Sequence, residues 1–255
     1  GDGLLFVFSV SNPSSPGWIV ASSVSFPNAG IAISVDGDNV CVVTLGNTLE
    51  IIDASNPGVP VLAGTISINH GPDGDVWAED GYAYVAGGGQ LEIIDIANPA
   101  MPSLAGTLSL GSGQNYISIQ NDYAYVTSDS LLQIVDVSVP ASPIIVGSAE
   151  IGTAPSGIVV LGSHAYVVGG SHMLEVIDIS NPASPFIVDA IGVANDPNSI
   201  AIEGEYAYVV GDSGILEIID VSLYTNPRTT YTASVDNDGN TVLATNNWQT
   251  TEHHI

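Results

Sequence analysis

A five-residue pattern recurs five times along this chain: Leu49-Glu-Ile-Ile-Asp53, Leu91-Glu-Ile-Ile-Asp95, Leu132-Gln-Ile-Val-Asp136, Leu174-Glu-Val-Ile-Asp178 and Leu216-Glu-Ile-Ile-Asp220. Its aspartates lie 42, 41, 42 and 42 residues apart. A weaker copy, Leu5-Phe-Val-Phe-Ser9, precedes them. A fixed period of this length makes each repeat one supersecondary unit, so the fold must be an array of such units. The same neighbours return around each copy. A Pro-rich turn follows, as in Ser55-Asn-Pro57 and Pro60, or Ser180-Asn-Pro182 and Pro185. A Tyr-Ala-Tyr or His-Ala-Tyr segment precedes it, starting at Tyr82, Tyr123, His164 and Tyr206.

One repeat therefore reads as four short strands, a to d. Ile200-Ala-Ile202 illustrates a, Tyr206 to Val210 b, Leu216 to Asp220 c, and Phe186 to Val193 d. β-Branched and aromatic residues fill these segments, and Gly, Asn, Asp and Pro punctuate them. No 3.6-residue helical period interrupts the pattern. Four strands in about 40 residues is the size of one propeller blade.

The two ends complement each other. The chain opens with c (Leu4 to Val10) and d (Trp18 to Val24), and it closes with d (Thr230 to Val235), a (Thr241 to Thr245) and b (Trp248 to Glu252). The expected fold is all-β and a single domain spanning residues 1–255. It is a six-bladed β-propeller of four-stranded blades, its ring closed by N-terminal c/d strands pairing with C-terminal a/b strands. Closure leaves only short, protected edges, which guards against edge-to-edge aggregation.

With its five strands ending in Asp, the chain resembles the LVIVD-repeat family over essentially its whole length. The resemblance implies a β-propeller from a bacterial or archaeal secreted or cell-surface protein. It implies a fold and a compartment, not a reaction. Ser9 departs from the motif Asp, and Trp248-Gln-Thr-Thr departs from the Tyr-Ala-Tyr strand; both lie in the closing blade.

Charge narrows the partners. The chain carries 27 acidic side chains, no lysine and one arginine, Arg228, for a net charge of −26. Charged residues are only 11% of the total, so the imbalance comes from missing cations. Nucleic-acid binding and docking on anionic lipid both need clustered Lys and Arg and are excluded as expectations. No apolar run reaches the roughly 18 residues of a membrane-spanning helix.

The repeated residues read as scaffold. Each motif Asp ends a strand before a turn, where its carboxylate can accept a backbone N–H two residues on. Cys41 aligns with Ala83, Ala124, Ala165 and Ala207, a slot for a small buried side chain rather than a nucleophile. The paired tyrosines read as packing between blades.

The two faces differ. Tight a–b turns and Asn-Pro corners make one face monotonous. The d–a and b–c loops on the other vary from blade to blade, and variable loops on a rigid scaffold are where function concentrates. Its candidate partner or ligand residues are His70, Gln114, Asn115, Asp196, Asn198, His172 and Asp212. Oxygen donors alternate at Asp236, Asp238 and Asn240, and at Asp73 and Asp75, which makes calcium the candidate cofactor. His253 and His254 are adjacent, so in a strand they would point to opposite faces. No nucleophile elbow, P-loop, zinc-protease helix or dinucleotide fingerprint is present. The expected role is non-enzymatic: an extracellular or cell-surface module for structure, adhesion or assembly. Its partner is another protein or a second copy, as in a filament or layer. A calcium-assisted glycan binder is the alternative, and a hydrolase or lyase ranks below both.

Overall fold

The computed structural model describes residues 3–8, 20–69, 74–113, 115–152, 154–170, 172–194, 196–212, 214–222, 230–235 and 241–246. Among the described residues every regular element is a strand, and there are 23. A two-stranded antiparallel sheet opens the chain: β1 (Gly3–Phe8) and β2 (Val20–Phe26). Four-stranded sheets follow in chain order. The first holds β3 (Gly30–Asp36), β4 (Asn39–Thr44), β5 (Thr48–Asp53) and β6 (Val61–Ser67). The next holds β7 (Asp75–Glu79), β8 (Tyr82–Gly87), β9 (Gln90–Asp95) and β10 (Ser103–Ser109). Then come β11 (Ile117–Gln120), β12 (Tyr123–Ser128), β13 (Leu131–Asp136) and β14 (Ile144–Glu150). The fourth holds β15 (Pro155–Leu161), β16 (His164–Gly169), β17 (Met173–Asp178) and β18 (Phe186–Gly192). The last sheet has five strands: β19 (Pro197–Glu203), β20 (Tyr206–Gly211), β21 (Leu216–Asp220), β22 (Thr230–Val235) and β23 (Thr241–Asn246).

The motif thus forms the third strand of each full sheet, as its period requires. Strands b and c are buried along most of their length, which explains their unbroken apolar runs. Strand d is the outer one and mostly exposed. In β6, β10 and β18 a bulge shifts the pairing by one residue against strand c. Such bulges bend an outer strand and blunt its edge.

The closing strands depart from expectation. Thr241–Asn246 does form a strand, but it pairs antiparallel with β22, from Val235 opposite Thr241 to Thr230 opposite Asn246. The sequence between them, Asp-Asn-Asp-Gly-Asn, has hairpin composition and a short span, so pairing with the preceding strand is the locally favoured outcome. The expected b strand, Trp248 to Glu252, lies outside the described residues.

The chain divides into two compact units: residues 1–129 with 135–145, and residues 130–134 with 146–255. Within each, adjacent sheets are tied by two repeated devices. The first is a close approach on strand d. A Cβ at Gly64 would overlap the Pro99 carbonyl oxygen of the next sheet's corner; Gly106 meets Pro140, and Gly147 meets Pro182, in the same way. In β2 the matching position is Ser22, whose hydroxyl donates to the Pro57 carbonyl. The second device is the motif's second residue. The Glu92 carboxylate accepts the Asn69 N–H at 2.7 Å, Glu175 accepts Gly152 at 2.8 Å, and Glu217 accepts Ala194 at 2.7 Å. Each glutamate therefore pins the d–a loop that leads into its own sheet. Glu50 instead accepts the Thr48 and Thr65 hydroxyls.

Candidate functional site

The motif aspartates are turn-builders. Asp53, Asp95, Asp136, Asp178 and Asp220 each accept the N–H two residues on, at 2.8–3.0 Å. Ser138, Ser180 and Ser222 add a hydroxyl at 2.6 Å. These serine and backbone donors hold the carboxyls of Asp136, Asp178 and Asp220 below the ordinary aspartate range. Cys41 is fully buried, as are Ala83, Ala124, Ala165 and Ala207 in the same slot. Burial, with Asp36 nearby, pushes its thiol up to about 12, so the thiolate nucleophile is not available at neutral pH.

On the variable face, four residues from two sheets and their loops converge. His172 sits in the b–c turn between β16 and β17, held at φ 55°. Its Nε2 lies 3.0 Å from Asp196 Oδ1, a residue of the loop between β18 and β19, and both side chains are more than half exposed. The Asp196 carbonyl accepts the Asp212 N–H at 3.3 Å. Asp212 Oδ1 in turn accepts the Asn198 amide. The result is one contiguous polar cluster, His172–Asp196–Asp212–Asn198, displayed on three turns and the first residues of β19. The His172 carbonyl accepts the Val193 N–H at 2.9 Å, which locks the turn to the end of β18.

Two other candidates have internal duties. Asn115 is 1% exposed, so it is not part of the surface that the variable-face reading placed it on. Its amide donates to the Thr127 carbonyl at 2.9 Å, and its Oδ1 is buried without a partner among the described residues. Asp75 accepts the Val76 N–H on one oxygen and the Ile117 N–H on the other, joining β7 to β11. Burial raises its carboxyl above the usual range, against the pull of those two donors. Among the described residues no group of three His, Cys, Asp or Glu has metal-binding geometry. His70, Asp73, Gln114, Asp236, Asp238 and Asn240 lie outside the described residues.

The cluster offers hydrogen-bond donors and acceptors in open solvent. Repeated four-stranded sheets with polar loops at one end define the β-propeller class, and comparison with solved structures agrees. A functionally unknown protein from Desulfotomaculum acetoxidans matches with a TM-score of 0.66 at 16% identity, over 88% of this chain and 71% of that one. A protein from Lactobacillus plantarum matches with a TM-score of 0.66 at 15% identity, over 88% and 72%. The Cps50 (Swd1) beta-propeller domain of Myceliophteria thermophila matches with a TM-score of 0.60 at 11% identity, over 80% and 79%. The chain belongs to the LVIVD repeat family, whose pattern matches residues 30–67, 70–109, 112–150, 152–191 and 194–232. No curated protein matches the sequence.

Proposed function

We propose that this chain is a non-enzymatic propeller that acts outside the cell or on its surface, as an adhesion or assembly module. The observation that carries this is the division of labour among the polar groups. The repeat-borne carboxylates are engaged within the scaffold, while His172, Asp196 and Asp212 on variable turns and Asn198 at the start of β19 are gathered and open to a partner. In this reading the ring has six blades, and β1 and β2 are half of one. The free edge of β1 takes two strands of a/b type from residues 241–252, of the same chain or of a neighbouring copy, and β23 then leaves β22. An apolar groove beside that edge, lined by Leu4, Leu5, Phe26, Ile31 and Ile33, supports the reading.

The test is sedimentation and negative-stain imaging of the full chain across salt and calcium, beside a His172→Ala/Asp196→Ala variant. Assemblies or partner complexes that the variant weakens are expected. Monomers under every condition, or turnover of a glycan or ester lost on changing Asp196, would overturn the proposal. Calcium at Asp236, Asp238 and Asn240 belongs to the glycan-binding alternative; unchanged melting with calcium or chelator removes it.

A further inference from the structure

The a–b turns are not equivalent. Between the second and third sheets lies a cleft of about 270 Å³ lined by Glu79, Asp80, Tyr82, Tyr84, Asp122 and Ser138, among others, all from residues of the first unit. Glu79 ends β7, and its Oε2 is fixed by the Trp77 indole N–H at 3.1 Å. The matching strand ends are Asp36 in β3, Gln120 in β11, Leu161 in β15 and Glu203 in β19, so an acid stands at this place in three of the five full sheets, and Asp36 is already engaged by the Gly81 N–H at 2.8 Å. Asp80 and Asp122 sit on exposed turns at its mouth. Tyr82 and Tyr84 form its aromatic side, with ring centres 6.4 Å apart and tilted by 50°.

Tyr84 is the second, independent observation. The residue is 7% exposed. Its side chain lines the cleft, yet its hydroxyl has no hydrogen-bond partner among the described residues. Burial pushes its ionisation up to about 12, helped by the negative field of Glu79, Asp80 and Asp122. The hydroxyl thus stands near three carboxylates without bonding any of them, which leaves an acceptor position open between ring and anions.

We propose that this cleft binds one organic cation, the guanidinium or ammonium head of a basic side chain presented by a foreign protein partner. Carboxylates on one wall and tyrosine faces on the other are the two elements that recognise such heads. Size agrees, because pockets for drug-sized ligands run about 300–1,000 Å³ and this one is smaller. A bare metal ion is the poorer fit: these carboxylates form no group of three with ion-binding geometry. A second copy is the poorer source, since this chain offers only Arg228.

The experiment is a heteronuclear NMR titration of the full chain with N-acetyl-arginine amide, N-acetyl-lysine amide and the neutral N-acetyl-citrulline amide, at roughly physiological ionic strength. Saturable shifts at residues 79–84 and 121–122 are expected with a cationic probe and not with citrulline. Glu79→Gln with Asp122→Asn should weaken binding at least about tenfold, and Tyr84→Phe about threefold. Both variants should keep the parent's dispersed spectrum. Shifts spread evenly over all acidic turns, no saturation, or equal binding by the double variant would each overturn the proposal. Self-association abolished by Arg228→Gln would overturn the assignment to a foreign partner.

Discussion

Single residues carry opposite pH signatures in this molecule. Burial raises the Glu217 carboxyl, against the Ala194 N–H that lowers it. A raised folded value means stability present at acid pH, below the ordinary value of 4.5, and lost as pH rises through the folded value. Glu217→Gln should therefore raise the melting temperature at pH 7 and lose that advantage near pH 4. Gln133 already occupies this slot in β13 and is buried there. Asp136, Asp178 and Asp220 have the reverse sign: their contribution is present above the ordinary 3.8 and lost as pH falls. His164 adds a second window. Burial lowers it from 6.5, against Asp178, so the fold loses stability as pH falls below about 6.5. His164→Tyr restores the residue found at Tyr82, Tyr123 and Tyr206, and should flatten the melting profile between pH 7 and 5.5.

At the scale of elements, the joints between sheets are sterically exact and easily tested. Gly106→Ala would drive a Cβ into the Pro140 carbonyl, and overpacking of this kind costs about 1–3 kcal/mol. Gly192→Ala, where nothing lies within 4 Å, should change stability by less than about 0.5 kcal/mol. Equal denaturation midpoints for the two variants would remove the joint from the account. The strands were readable because each is written by its own letters. The motif Asp and its turn were readable for the same reason, since donor and acceptor are two residues apart. The motif Glu was visible as a repeat but not as a clasp. Its partner is a backbone N–H about 23 residues away, such as Ala194 for Glu217, and a backbone donor has no letter. Thr241–Asn246 was legible as a strand, yet not its neighbour, because pairing depends on which edge is nearest. The acidic cleft was hidden because it joins Glu79 of one sheet to Asp122 of the next, and acids also stand in other a–b turns, at Asp36, Asp38, Glu203 and Glu205, so no letter sets this pair apart.

For the whole molecule, the charge of −26 divides into engaged and displayed carboxylates. The scaffold's carboxylates are satisfied by N–H and hydroxyl donors, with no Lys or Arg among the described residues to pair with. Raising NaCl from about 0.05 to 0.5 M should thus raise the melting temperature or leave it level, since screening removes repulsion and breaks few attractions. A falling melting temperature would mean that attractive ion pairs hold the fold. Trypsin offers a second reading of the same composition: cleavage after Arg228 should be its single cut, even in unfolded chains.

The glycine–proline joints also set how the molecule answers a pull. Gly64 to Pro99, Gly106 to Pro140 and Gly147 to Pro182 each link one repeat only to the next. Tension along the chain would reach a given sheet through its neighbour alone, as in other nearest-neighbour arrays. Failure should come in steps, each releasing one repeat of about 42 residues, or roughly 140 Å of extended chain. A sawtooth of that spacing in single-molecule stretching is the mechanical fingerprint this arrangement predicts.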